Sequence, residues 1–181
     1  MTNHQGKIWE RLINHAIIKH LEDNNLLSDR QHGFRPKRGA FSNLTQLWEH
    51  VIQLIDDEGA LVELWSFDLT KAFDLLNHEK VLELCHKCGI TGEIGQVIQN
   101  WLTDRTQFIE CGNKKSQTVR VNKSCIQGSV LGPTLWLIYI QSLMDRLQGE
   151  CEFFAYADDI AIAMKIVTKE RLLLAATKSC L

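Results

Sequence analysis

The chain has 181 residues, a length that suits one domain or part of a larger one. Apolar residues make up 45% and charged residues 23%, values near the globular average that argue against extensive disorder or a fibrous repeat. Lysine and arginine number 20 and aspartate and glutamate 22, so no overall basic excess points to nucleic acid, and any basic binding surface must be local.

The sequence predicts neither a membrane span nor a secretory signal. No stretch of about 18 uncharged apolar residues occurs. Lys7, Glu10 and Arg11 interrupt the apolar positions near the amino terminus. The six cysteines are therefore expected to be reduced thiols in an intracellular protein, with nucleus or cytoplasm left open. Residues 85–88 resemble half of a zinc site, but no second close pair accompanies them, so zinc is not expected.

The first predicted elements are a helix and a loop. Apolar residues at helical spacing favour an amphipathic helix over residues 5–23. The polar run 23–38 follows, and because Gly33 and Pro36 break it, it predicts a loop.

A second helix and a strand come next. Ser42 or Asn43 is placed to cap the helix, and Gly59 ends it. The short apolar run 61–67 predicts a buried strand that leads directly into Asp68.

The second half of the chain predicts further helices and two hairpins. Helices are expected over residues 78–87, 92–103, 131–147 and 170–180. Runs 107–111 and 117–121 flank a turn and predict the first hairpin. Runs 151–156 and 160–166 predict the second, with acidic residues at its tip. This order of helices, hairpins and a lone strand indicates an α+β fold rather than regular βαβ alternation.

Three aspartates stand at the ends of predicted strands. Asp68 follows one apolar strand, and Asp158 and Asp159 are adjacent between two others. Aspartate is common in turns, so an isolated Asp-Asp pair is a weak signal. Three carboxylates brought together from distant strands would suit hard divalent cations such as Mg²⁺, which prefer oxygen ligands. Two such ions can activate a hydroxyl nucleophile and stabilise a leaving pyrophosphate.

Four sequence blocks, in this order, resemble the reverse transcriptases of non-LTR (LINE-type) retrotransposons and, more distantly, those of group II introns. They are Gln-His-Gly-Phe-Arg-Pro at 31–36, Ser-Phe-Asp-Leu-Thr-Lys-Ala-Phe-Asp at 66–74, Gln-Gly-Ser-Val-Leu-Gly-Pro at 127–133 and Tyr-Ala-Asp-Asp at 156–159. The resemblance extends over residues 7 to 165. One block alone is a weak signal, but four in order are highly specific.

The resemblance implies a right-hand polymerase fold with fingers and a partial palm that contains an antiparallel hairpin. Residues 1–181 would form one reverse transcriptase domain, with about 1–60 mainly fingers and about 61–181 mainly palm, interleaved with fingers. The family continues with a thumb, which is missing here, so the chain is expected to be a fragment. An isolated fragment would show little processive polymerase activity and would expose apolar palm surface, through which it would associate or aggregate.

The resemblance also assigns the acidic residues. Asp68, Asp158 and Asp159 would be the catalytic acids and, with the carbonyl of Leu69, the ligands of Mg²⁺ or Mn²⁺. This assignment agrees with the chemistry of the residues, because without cations three carboxylates would repel an anionic triphosphate.

By the same resemblance, five further residues would bind the incoming nucleotide. Arg35 and Arg38 would hold the triphosphate, with Arg35 ranked above Arg38, since guanidinium groups bind phosphate through two hydrogen bonds. Phe73 would pack beneath the sugar and exclude a 2′-hydroxyl. Gln127 and Gly128 would shape the pocket.

One short segment departs from the family pattern, and another follows it. Residues 124–126 read Ser-Cys-Ile where the family has Gly-Val-Pro, a change that is expected to loosen the loop because proline restricts the backbone. Asp74, Asn77 and His78 follow the family pattern and are interpreted as structural, with a role in capping the next helix.

The function implied is RNA-directed DNA polymerisation, with an RNA template, a DNA primer and dNTPs as partners and no membrane. One alternative is a non-catalytic retroelement remnant that acts at most as a nucleic-acid or protein binding module. Another is a different template-directed polymerase, such as an RNA-dependent RNA polymerase, but Phe73 and the run 71–74 argue against it. The oligomeric state is left open.

Overall fold

The computed structural model describes residues 4–58 and 61–166, which form five helices and seven strands. The helices are α1 (His4–Asp23), α2 (Ala40–Glu58), α3 (His78–Lys87), α4 (Gly92–Leu102) and α5 (Leu131–Leu147). The strands are β1 (Leu61–Asp68), β2 (Thr106–Gln107), β3 (Glu110–Cys111), β4 (Lys114–Lys115), β5 (Val119–Arg120), β6 (Phe153–Tyr156) and β7 (Asp159–Ile166). None of these helices is long and apolar enough to cross a membrane. Gly59 and the helix predicted over 170–180 lie outside the described residues.

The chain divides into two compact units, and each is built from two separate stretches. The first contains residues 4–28 and 70–143, with α1, α3, α4, the short strands β2–β5 and most of α5. The second contains residues 29–69 and the part that follows 143, with α2, β1, β6 and β7. The stretch 70–143 is therefore an insertion between the two halves of the second unit.

The first unit is mainly helical and has its own apolar core. Ile17 and Leu21 of α1, Val81 of α3 and Ile98 of α4 are almost completely buried. The Asn77 side chain accepts a hydrogen bond from the Lys80 amide at 3.0 Å and caps α3, as predicted.

A thiol in this core has perturbed chemistry. Cys85 of α3 is buried, and burial raises the pKa of its thiol to about 12.

The second unit is a three-stranded antiparallel sheet with one helix on it, in the strand order β1-β7-β6. The β1–β7 register runs from Leu61 opposite Ile166 to Asp68 opposite Asp159. On one face, Leu47 and Val51 of α2 pack against Phe154 and Ala163, with Val62 and Ala161 at the edge of this cluster.

The prediction that β1 is buried is wrong. Every residue of β1 except Val62 is exposed, including Leu64, Trp65 and Phe67. The physical reason is that the apolar cluster beneath α2 is formed with β6 and β7 and includes only Val62 of β1, and β7 is the only neighbour of β1 in the part of the chain that the structure describes.

The start of α2 also differs from the prediction. The helix begins at Ala40, so Ser42 and Asn43 lie inside its first turn and not before it. The Ser42 hydroxyl accepts a hydrogen bond at 3.0 Å from the amide of Gly39, the residue before α2. This bond satisfies a backbone donor at the start of the helix. The Asn43 amide donates instead to the carbonyl of Ala155 at 2.9 Å and ties α2 to the sheet.

The hairpin predicted within 107–121 is present, with a shorter turn than expected. Strand β2 pairs with β5, and β3 pairs with β4 around Gly112 and Asn113. Every residue from 106 to 120 is exposed, so the hairpin projects into solvent.

Candidate active site

The turn between β6 and β7 carries two of the three predicted acids. Tyr156 pairs with Asp159, so Ala157 and Asp158 form a two-residue connection, and Asp159 is the first residue of β7. Ala157 has a φ of 59°, the left-handed conformation that tight hairpin turns require. The two neighbouring aspartates therefore occupy different positions, one in the turn and one in the strand.

The structure brings the third acid to this turn. Asp68, the last residue of β1, lies directly opposite Asp159 on β7. Residues in this relation project from the same face of a sheet, with Cα atoms about 4.5–5.5 Å apart. The Leu69 amide donates to the carbonyl of Asp158 at 3.3 Å. Asp68, Leu69, Asp158 and Asp159 are thus neighbours although they come from distant parts of the sequence.

The acidic group offers oxygen ligands but no complete metal cage. Among residues 4–58 and 61–166, no three acidic, histidine or cysteine side chains form a group that could hold a metal ion by themselves. Asp68 and Asp159 are both exposed to solvent. Mg²⁺ is commonly held by one or two carboxylates together with substrate phosphates. The carboxylates present fit a cation that is shared with a phosphate ligand.

The acidic turn is fixed by a glutamine from the loop before α2. The amide nitrogen of Gln31 donates to the Ala157 carbonyl at 3.0 Å, and its oxygen accepts from the Ala157 amide at 2.9 Å and from the Gly33 amide at 2.7 Å. Gln31 is only 1% exposed. A buried side chain that satisfies three backbone groups defines the position of the turn.

The same loop approaches the turn too closely for a side chain at position 33. A Cβ atom added to Gly33 would lie 2.2 Å from the Ala157 nitrogen. The His32 amide donates to the Ala155 carbonyl at 2.8 Å, and the Ala155 amide donates to Arg30 at 2.9 Å. The loop and β6 therefore make backbone contacts that require glycine at 33.

In the first unit, the predicted nucleotide residues line one cavity. Phe73, Gln127 and Gly128 surround a space of about 390 Å³, and its other lining residues are Asp74, Cys125, Ile126, Ser129, Gly132 and Pro133. The ring of Phe73 packs against Trp136 with centroids 5.3 Å apart. Phe73 is half-buried, so part of it remains accessible from the cavity.

Comparison with known families identifies the chain. Residues 3–181 match the family described as reverse transcriptase (RNA-dependent DNA polymerase). The chain belongs to this reverse transcriptase family. Its relatives in mobile elements identify the domain as LINE-type, as the four sequence blocks predicted.

Three relatives of this reverse transcriptase domain come from Drosophila melanogaster. It is 28% identical over 163 residues to the probable RNA-directed DNA polymerase from transposon BS, covering 87% of the chain and 18% of the relative. It is 27% identical to the RNA-directed DNA polymerase from mobile element jockey, covering 95% and 19%. It is 31% identical to a putative 115 kDa protein of the R1DM retrotransposable element, covering 88% and 15%. The chain therefore spans less than a fifth of the length of each relative.

Solved telomerase structures share the fold of the domain. The apo telomerase of Candida tropicalis superposes with a TM-score of 0.65 at 11% identity, covering 93% of this chain and 32% of that one. The telomerase of Candida albicans, solved with a TWJ fragment of telomeric RNA, gives a TM-score of 0.66 at 8% identity, covering 92% and 32%. The predicted α+β polymerase fold is confirmed.

The two arginines expected at the triphosphate are engaged within the reverse transcriptase domain. Arg35 is 7% exposed, and its guanidinium donates to the Gln31 carbonyl at 3.2 Å. Arg38 donates to both the carboxylate and the carbonyl of Asp29, and its side chain is 24% exposed. Arg38 is therefore the more accessible of the two.

The loop that carries Gln127 is positioned by α1. A carboxylate oxygen of Glu10 accepts a hydrogen bond from the Val130 amide at 2.6 Å, and Asn14 accepts one from the Thr134 hydroxyl. Glu10 is buried. In the sequence Glu10 is only a charge that interrupts an apolar run, and no local signal marks its distant partner.

The segment that departs from the family pattern has an unusual backbone. Ser124, which stands where the family has glycine, has a φ of 88°. Its amide donates to the Leu76 carbonyl at 2.9 Å, and its carbonyl contacts the ring of His78 at 2.7 Å. The backbone thus keeps a conformation that glycine adopts at lower cost.

Proposed function

We propose that this domain contributes the catalytic centre of an RNA-directed DNA polymerase that adds dNTPs to the 3′-hydroxyl of a DNA primer on an RNA template. The observation that carries the proposal is the position of Asp68 opposite Asp159, with Asp158 in the adjoining turn. Asp68 and Asp159 lie opposite each other on paired strands, and both are exposed to solvent, which supports the binding of a charged substrate there. The family membership supports the same reaction.

The proposed cofactor is Mg²⁺, which Mn²⁺ could replace. Bound there, it would supply positive charge that activates the 3′-hydroxyl and neutralises the triphosphate. Asp68, Asp158 and Asp159 would hold it through carboxylate oxygens, together with the Leu69 carbonyl. Gln31 would keep Asp158 in position by fixing the neighbouring Ala157.

The remaining roles concern the nucleotide. In-line attack of the 3′-oxygen on the α-phosphorus breaks the α–β phosphate bond and releases pyrophosphate. Phe73 would lie beneath the sugar and favour deoxynucleotides, while Gln127 and Gly128 would line the pocket. Arg38, and to a smaller extent Arg35, would contact the triphosphate. The division into fingers over about 1–60 and palm over about 61–181 is part of this proposal.

A metal-binding measurement tests the acidic site without requiring activity. Titration of Mn²⁺ into the 181-residue chain, followed by electron paramagnetic resonance, should detect weak binding. Asp68→Asn/Asp159→Asn should abolish it, because neutral amides lose most of the ligand charge. Asp56→Asn, which changes an exposed acid of α2, is the control. Unchanged Mn²⁺ binding by the double variant would show that these residues are not the ligands.

Primer extension tests the reaction. The domain is fused to the carboxyl-terminal part of a related enzyme and supplied with an RNA template, a DNA primer and Mg²⁺. Asp158→Asn should abolish extension. Phe73→Ala should lower the ratio of dNTP to rNTP incorporation. Absence of extension by the parent fusion, together with absence of Mn²⁺ binding, would favour the non-catalytic alternative.

A further inference from the structure

A basic hairpin projects from the first unit. Its residues belong neither to the acidic turn nor to the lining of the nucleotide cavity. We use this name for residues 105–123, which contain β2–β5. Five basic residues and one acidic residue fall in this segment, although the whole chain has a net charge of −2. The basic residues are Arg105, Lys114, Lys115, Arg120 and Lys123. This is the local positive surface that the overall composition does not reveal.

Three cations of the basic hairpin, Lys114, Lys115 and Arg120, are weakly engaged. Lys115 lies 3.6 Å from Glu110, and Arg120 lies 3.4 Å from Asp104, with all four side chains at least half exposed. Exposed pairs of this kind contribute little to stability, because water screens them and their side chains lose entropy on pairing. Lys114 has no acidic partner among the described residues. These charges are therefore available to phosphate groups.

The basic hairpin also presents apolar side chains to solvent. Phe108 is 49% exposed, and the Lys115 ammonium lies 4.9 Å from the centre of its ring. Ile109 is more exposed still. An aromatic ring beside cations is the combination that proteins use to bind unstacked bases and the adjoining phosphates of single strands.

The backbone of the basic hairpin is ordered by its own hydrogen bonds. The Ile109 amide donates to the Ser116 hydroxyl at 2.8 Å, and the Ser116 amide donates to the Ile109 carbonyl at 2.8 Å. The Val121 amide donates to Arg105 at 2.9 Å. The cations and the ring are therefore presented on a formed scaffold, which lowers the entropy lost on binding.

We propose that the basic hairpin is a binding surface for single-stranded nucleic acid. Lys114, Lys115 and Arg120 contact phosphates of the strand, and Phe108 stacks on a base. The inference rests on the proposed function in that a template-directed polymerase must hold an unpaired strand. It does not depend on the acidic residues or on a divalent cation.

Fluorescence anisotropy of labelled 12-nucleotide oligo(U) and oligo(dT) tests the lysines. The 181-residue chain is titrated in EDTA at several salt concentrations between 50 and 200 mM. Lys114→Ala/Lys115→Ala should lower the salt dependence, the slope of log K against log[salt], by about 1.4, since each contact with a single strand contributes about 0.7. It should weaken binding at 50 mM salt by roughly ten-fold or more.

The matched control is Lys19→Ala/Lys87→Ala, which removes the same charge from exposed lysines of α1 and α3 in the same unit. It should leave the slope unchanged. Equal effects of the two double variants, or no effect of the hairpin variant, would overturn the proposal. Lys114→Gln/Lys115→Gln is a second test that keeps polar side chains, and circular dichroism verifies that each variant is folded.

Phe108→Leu tests base stacking, because it keeps apolar volume and removes the ring. It should weaken binding of the single strands about five-fold or more and leave the salt slope unchanged. Phe41→Leu, on an exposed ring of α2, is the control and should have no effect. Tighter binding of oligo(U) would identify the ligand as RNA, and tighter binding of oligo(dT) as DNA. Binding of a 12-base-pair duplex as tight as that of both single strands would contradict the proposal.

These experiments distinguish a failure of the hairpin proposal from a failure of the proposed polymerase function. Loss of single-strand binding in the hairpin variant, with no Mn²⁺ bound at the acidic turn, would support the hairpin and count against catalysis. Metal-dependent extension that is abolished by Asp158→Asn, with single-strand binding unaffected by the hairpin variants, would support catalysis and refute the hairpin.

Discussion

Ser124 holds a backbone conformation that glycine adopts more readily. Its φ of 88° lies in the left-handed region, where a Cβ atom is strained. The hydrogen bonds of its amide to Leu76 and of its carbonyl to His78 hold it there. These hydrogen bonds thus offset the backbone strain at Ser124.

Ser124→Gly should therefore stabilise the domain. We expect the free energy of unfolding to rise by about 0.5–1 kcal/mol, since relief of the strain exceeds the added entropy of the unfolded chain. Urea denaturation followed by tryptophan fluorescence measures this change. Ser142→Gly, in the exposed part of α5, is the contrasting control and should lower stability by about 0.5 kcal/mol. A loss of stability with Ser124→Gly would contradict the strain argument.

Gly33 provides the opposite case, because a side chain there has no room. Gly33→Ala places a Cβ atom 2.2 Å from the Ala157 nitrogen, so the loop and the acidic turn must separate. We expect a loss of more than about 2 kcal/mol in urea denaturation, accompanied by weaker Mn²⁺ binding. Gly149→Ala meets no atom closer than 3.9 Å and should have little effect. Equal stability of both variants would disprove the close approach.

The sequence predicted the three aspartates of the proposed site but not the residues that position them. Asp68, Asp158 and Asp159 stand out because they follow apolar strands. No local sequence pattern identifies Gln31 or Glu10, because each accepts a hydrogen bond from a backbone amide more than a hundred positions away. Contacts of that kind depend on the complete fold and have no periodicity in the sequence.

At the scale of elements, α1 acts as a support for the loop that enters α5. Glu10 accepts a hydrogen bond from the Val130 amide, and Asn14 accepts one from Thr134 at the start of α5. Removal of the Glu10 acceptor leaves a half-buried amide unsatisfied, which is costly.

Glu10→Ala should lower the free energy of unfolding by about 2–3 kcal/mol. Glu10→Gln should recover most of that loss, because its amide oxygen can still accept from Val130. Urea denaturation of the two variants measures the difference. If glutamine and alanine proved equally destabilising, the carboxylate charge and not the hydrogen bond would be the important feature.

Element boundaries were more predictable than burial. The observed α1, α3 and α5 agree with the sequence periodicity to within a residue or two. β1 was predicted to be buried because its residues are apolar, but only Val62 of this strand packs against the cluster beneath α2. An apolar run of seven residues, such as 61–67, does not indicate which of its side chains another element will cover, so composition alone could not predict their exposure.

For the whole molecule, the exposed edge of β1 predicts self-association. Its eight residues include no proline or lysine, and Leu64, Trp65 and Phe67 are exposed beside backbone groups that no other strand pairs within residues 4–58 and 61–166. In sedimentation velocity, the 181-residue chain should show sedimentation coefficients that rise with concentration. Trp65→Lys should shift the distribution towards the monomer, because a charged side chain opposes edge pairing.

Trp9→Lys is the matched control for this measurement, since Trp9 is an exposed tryptophan of α1. It should leave the concentration dependence unchanged. If both tryptophan variants gave the same distribution, association would not proceed through β1.

The interrupted second unit has a consequence for synthesis on the ribosome. β1 is complete at Asp68, but the strand it pairs with ends only at Ile166. At about 5–20 residues per second, the roughly 100 intervening residues take roughly 5–20 s to translate. During this interval the apolar β1 emerges without its partner, while the intervening stretch can begin to fold. We therefore expect slower translation between these two points, or less chaperone access, to lower the fraction of nascent chains that reach the native sheet.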